Sequence, residues 1–86
     1  MSRSSEVPVV LPAALHARPA GAVVRVAASF RSPVEVWLGE RSASARSALR
    51  LMSLGAEAGA TVVVRASGDD AVAAARAVAE TLLLSE

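Results

Sequence analysis

Over residues 7–11 apolar side chains fall on alternate positions, with Val7, Val9 and Leu11 on one face and Pro8 on the other. A period of two predicts a strand. Proline has no N–H to give to a ladder, so this strand is expected at the edge of its sheet. The polar stretch before it reads as a frayed start, and residues 12–15 read as a loop. Past His16 the period lengthens. Ala20, Val23, Val24, Ala27 and Phe30 recur at helical spacing, while Arg25 and Ser29 fall off that stripe. Pro19 fits only in the first turn of a helix, where an N–H has no partner anyway. The helix is therefore predicted to start at about Ala17, with His16 as its N-cap and Ser32-Pro33 as its end.

Val34, Val36 and Leu38 then alternate with Glu35 and Trp37, which predicts a half-buried strand with Trp37 on the exposed face. A turn follows at Gly39, then a short, weak strand over 42–45. Residues 47–54 predict a short helix capped by Ser47 and stopped by Gly55. The β-branched run Val62-Val63-Val64 marks a strand over 61–66. Ser67-Gly68-Asp69-Asp70 supplies a turn and acidic residues for the start of a last helix, 70–84. Its buried stripe is expected to be Val72, Ala75, Val78, Ala79, Leu82 and Leu83. The order βαββαβα predicts an α+β fold: a four-stranded antiparallel sheet with three helices on one face, forming one domain over 1–86.

Composition narrows the function classes. The 86 residues allow one modest core. A hydrophobic share of 53% against 20% charged residues is globular rather than disordered. Much of the apolar share is alanine, so the core must be built from small side chains. The aromatic residues are Phe30 and Trp37, too few for a base-stacking surface. Nine scattered arginines against eight acids leave a net charge of +1, which offers no basic groove for nucleic acid. With no cysteine and one histidine, the chain has neither a disulfide framework nor the ligands for a metal site. The polar N-terminus lacks a signal-peptide core, and no apolar run approaches the ~18 residues of a membrane span. A cytoplasmic protein without membrane insertion and without a cofactor is expected.

The candidate chemistry lies in Leu15-His16-Ala17-Arg18-Pro19-Ala20. The first N–H groups of a helix have no intrahelical partner, and with the helix dipole they attract anions. A histidine at the N-cap holds its ring beside those donors. Arg18 can reach the same place with a fork that matches phosphate oxygens. A neutral imidazole is a nucleophile, and phosphoryl transfer asks for alignment and charge neutralisation more than for a large catalytic set. On these residues alone two readings stand. One is a phosphate acceptor; the other, the commoner role of such a residue, is a plain polar cap.

The same segment resembles the active-site segment of HPr, the histidine-containing phosphocarrier family of the bacterial phosphoenolpyruvate:sugar phosphotransferase system. Ser42-Ala43-Ser44-Ala45-Arg46-Ser47, followed by Leu51-Met52-Ser53-Leu54-Gly55, resembles the family's regulatory-serine segment. Gly59-Ala60-Thr61-Val62-Val63-Val64 with Ser67-Gly68 resembles its last strand and turn. The likeness runs from about Val7 to Leu84. It implies an open-faced β-sandwich and a carrier rather than an enzyme. His16 would be phosphorylated on Nδ1 by enzyme I and would pass the group to a sugar-specific enzyme IIA. Arg18 would steady the phosphate together with the Ala17 and Arg18 amides.

The resemblance also implies a docking surface around the two helix starts. Ala48, Leu49, Leu51, Met52 and Leu54 are its apolar candidates, with Arg46 and Arg50 at the rim. A short helix must bury one face, so two or three of the leucines are expected in the core, with Leu49 and Met52 outside. Ser47 matches the serine that some members present to an HPr kinase/phosphorylase, which would also bring in a transcriptional regulator. Arg50 departs from the glycine typical of members so regulated, while Met52-Ser53-Leu54-Gly55 agrees with them. Ala13 and Ala14 replace the Gly or Asn-Gly often found before the histidine. A monomer is expected. The alternative is a carrier feeding a regulatory or dihydroxyacetone kinase branch. Retention of His16 speaks against a module that only docks, and no second acid, base or metal cluster supports a stand-alone enzyme.

Overall fold

The computed structural model describes residues 3–85. Strands β1 (Ser4–Val10), β2 (Val34–Leu38), β3 (Arg41–Ser44) and β4 (Thr61–Ser67) and helices α1 (Ala17–Ala27), α2 (Ala48–Ser53) and α3 (Ala71–Leu83) follow one another in the order β1-α1-β2-β3-α2-β4-α3. The sheet order is β1-β4-β2-β3, with every neighbouring pair antiparallel. The expected four-stranded sheet with three helices is thus the observed one. β1 lies at an edge, as Pro8 requires. It begins earlier than expected, because Ser4 and Ser5 pair with Ser67 and Ala66. The expected fraying at Met1 and Ser2 lies outside the described residues.

Register puts small and β-branched side chains on the helix-covered face. Val9 faces Val62 there, and Val36 stands between Val64 and Ala43. Ten of the 22 buried hydrophobic residues among those described are alanine. Small side chains let helix backbones approach the sheet closely and fill the layer without large rotamers.

The other face carries Glu6, Arg65 and Glu35 in one cross-strand row and Pro8, Val63 and Trp37 in the next. Arg65 pairs with Glu6 and stands 4.7 Å over the Trp37 ring. Trp37 is on the outer face as expected, but half-buried, because that guanidinium covers it.

Two expectations for the helices need correction. α1 ends at Ala27, before Ser32-Pro33, and Phe30 packs on the core from the following loop. In α3 the buried stripe is Ala71, Ala74, Ala75, Val78, Ala79 and Leu82. Val72 and Leu83 are exposed, because the helix is rotated to press its alanines on the sheet. Asp70 starts α3 without capping it. Its carboxylate instead accepts from the amides of Arg31 at 3.0 Å and Ser32 at 2.8 Å. Gly68, at φ +131°, lies where a Cβ would come 2.5 Å from Ser32 Oγ, so the turn into α3 tolerates no side chain.

Candidate functional site

His16 is the N-cap of α1, with extended backbone at φ −88° and ψ −167°. Its carbonyl accepts the first helical bond, from Ala20 N at 3.0 Å. Its side chain makes no capping hydrogen bond and is exposed. The plain-cap reading is therefore not the geometry observed: the ring is left available at the surface.

The donors beside it can be counted. Of the first four amides of a helix, which lack intrahelical partners, His16 N bonds Ala14 O at 2.9 Å. Pro19 has no N–H. Ala17 and Arg18 supply the two that remain. The loop carrying His16 is held by the segment that follows α2. Leu11 N donates to Ala60 O, Gly59 N to Leu11 O, and Leu15 N to Ala56 O, all at 2.8–3.0 Å. Buried Leu11 and Leu15 anchor the same loop in the core. The ring is thus presented from a fixed base without glycine in the loop. Arg18 is exposed and lines a depression of about 310 Å³ with Pro19, Ala22, Thr81, Leu84 and Ser85, between the start of α1 and the end of α3.

The second region is α2. Ser47 is its N-cap, and Ser47 Oγ accepts from Arg50 N at 3.2 Å. The loop before His16 is tied to Ala56, just past the C-terminal end of α2, so Ser47 stands at the far end of that helix from it. The fold does not bring Ser47 and His16 together. Leu49 is 73% exposed and Met52 37%, as expected. Leu51 and Leu54 are buried, and Ala48 is half-buried. Leu51 and Leu54 therefore hold α2 to the body, while Leu49 and Met52 remain at the surface.

Arg46 is exposed but not idle, since its guanidinium donates to Phe30 O at 2.7 Å. Among the described residues no carboxylate pairs with the exposed Arg50 guanidinium. Arg41 was missed by sequence reasoning. It donates to Leu54 O at 2.7 Å and closes the C-terminal end of α2 from β3. Only a helix end awaiting a cation gave any signal for it. Among the described residues no cluster could hold a metal ion, and no helix is long and apolar enough to cross a membrane.

A reactive side chain displayed at a helix start on an open surface suits a protein that carries a group between macromolecules. That build fits the class of small domains that carry a group between partners. Comparison with known proteins gives the particular family. The family model described as the PTS HPr component phosphorylation site matches residues 3–83. A multiphosphoryl transfer protein of Xanthomonas campestris pv. campestris is 37% identical over 81 residues, covering 91% of this chain and 10% of that protein. The phosphocarrier protein HPr of Bacillus anthracis str. Ames is 28% identical, with a TM-score of 0.80, covering 94% of this chain and 96% of that one. The histidine-containing phosphocarrier protein of Mycoplasma shares the fold at a TM-score of 0.85 and 24% identity, covering 94% of this chain and 100% of that one. The chain belongs to the HPr family of phosphotransferase-system phosphocarriers, which are carriers and not enzymes. It spans about a tenth of the length of that multiphosphoryl transfer protein.

Proposed function

We propose that this chain takes a phosphoryl group from phospho-enzyme I on His16 and passes it to a sugar-specific enzyme IIA. The observation that carries this reading is the exposed, uncapped His16 ring at a helix start whose two spare amides are those of Ala17 and Arg18. The lone pair of neutral Nδ1 attacks phosphorus, and the bond from phosphorus to the donor breaks as the new P–N bond forms. The Ala17 and Arg18 amides and the Arg18 guanidinium meet the phosphoryl oxygens, whose charge they neutralise. The phosphoimidazole is reactive enough to release the group to the next acceptor. Leu49 and Met52, with Arg50 at the rim, form the surface that meets both partners, and a flexible methionine suits a site serving more than one.

Ser47 is the proposed target of an HPr kinase/phosphorylase. A phosphate there sits at the start of α2, one helix away from the His16 loop, so it acts by adding charge beside Leu49 and Met52. A transcriptional regulator reading that phosphate is part of the same proposal. The carrier works as a cytoplasmic monomer, since each partner in turn uses the same face.

Incubation with enzyme I and phosphoenolpyruvate is expected to add one acid-labile phosphate per chain, and His16→Ala to add none. Label retained by His16→Ala, or never gained by the intact protein, would end this reading.

A further inference from the structure

Away from α1, one other surface gathers cations without counter-charges. A depression of about 510 Å³ opens between β3 and α2, lined by Arg41, Ser42, Leu49, Arg50, Ser53 and Leu54. No carboxylate lines it. Neither arginine is ion-paired, since the one salt bridge among the described residues joins Arg65 to Glu6.

Arg41 is fixed in place. One of its N–H groups is committed to Leu54 O at 2.7 Å, so the remaining donors stay near a set position. The same bond offsets the partial negative charge of the carbonyl end of α2. Ser53 Oγ gives its proton to Leu49 O at 2.8 Å, and Ser42 is exposed beside it. The exposed Leu49 side chain forms an apolar wall.

We propose that this depression is a second anion site, which takes the phosphate monoester of a small molecule between Arg41 and Arg50, with the carbon skeleton against Leu49. Two guanidinium groups from different elements match a dianion with three terminal oxygens better than a carboxylate with two. The volume lies within the roughly 300–1,000 Å³ of small-ligand sites. The site contains neither His16 nor Arg18, but it shares Leu49 and Arg50 with the proposed docking surface, so a bound ester would compete with the relay partners without touching the phosphoryl acceptor.

Glycerol 3-phosphate titrated into the ¹⁵N-labelled protein at constant ionic strength tests the proposal. Saturable amide shifts are expected at Ser42, Arg50 and Ser53, with a Kd on the order of 1 mM. Arg50→Gln is expected to weaken binding at least about fivefold. Arg41→Lys, which keeps a cation near Leu54 O but loses the fork, is expected to weaken it as well, and Arg18→Gln to leave these shifts in place. Shifts confined to Ala17 and Arg18, shifts at Ser42 and Ser53 reproduced by chloride at equal ionic strength, or a linear response without saturation would each overturn it.

Discussion

Asp70 shows what one side chain can do away from the site. The Ser32 hydroxyl beside it, and the Arg31 and Ser32 amides bonded to it, hold its carboxyl down from 3.8 to about 2. A depressed carboxyl favours the folded state whenever it is ionised there and less well stabilised in the open chain. Its contribution is thus complete above about pH 4 and fades as pH falls from there through about 2. Asp70→Asn is expected to lower the urea midpoint at pH 7, with the gap to the parent protein closing as pH approaches 2. A constant gap across that range would show that shape, and not charge, carries the contact. Sequence reading places this aspartate at a helix start, where the dipole favours an acid, but names no partner for it. The amides it meets lie 38 and 39 positions away in the chain, and local pattern carries no trace of them. The position of His16 was legible because its signals are local: the N-cap, the proline that fits only in the first turn, and the arginine at position 18.

At the scale of one element, α2 separates two kinds of leucine. Leu51→Ala is expected to cost about 2–5 kcal/mol in denaturant unfolding, because it empties a fully buried position. Leu49→Ala is expected to stay within about 0.5 kcal/mol while weakening enzyme I docking. Ser47→Ala removes the acceptor for Arg50 N and is expected to cost about 1 kcal/mol in the same unfolding measurement. If Ser47→Ala were neutral, the hydroxyl would have no structural task. The split among the leucines agrees with the expectation that a short helix buries one face, with Leu49 and Met52 outside. α3 was harder, because alanine barely marks a face. The apolar weight of Val72 and Leu83 pulled the expected stripe toward them, whereas close approach to the sheet selected Ala71 and Ala74.

For the whole molecule, the class and number of elements were readable, and Pro8 announced an edge. The order β1-β4-β2-β3 was not. Which strands become neighbours depends on where the helical crossovers deposit them, and side-chain alternation is the same for any neighbour. The arrangement explains how the site is built. β1 and the segment after α2 reach the sheet from distant parts of the chain, yet backbone bonds between them set the loop that carries His16. A change in that loop is therefore felt at the helix start, and one on the outer sheet face is not.

The alanine-rich core has a thermal consequence. Each buried alanine brings little apolar surface out of water, so unfolding returns little to it. The heat-capacity increment of unfolding is expected to fall below the about 12–15 cal/mol/K per residue of ordinary domains, as calorimetry at several pH values would read it. A smaller increment flattens the dome of free energy against temperature. The carrier would then keep nearly constant stability over a wide span of growth temperatures, with both its cold and its hot limits pushed outward.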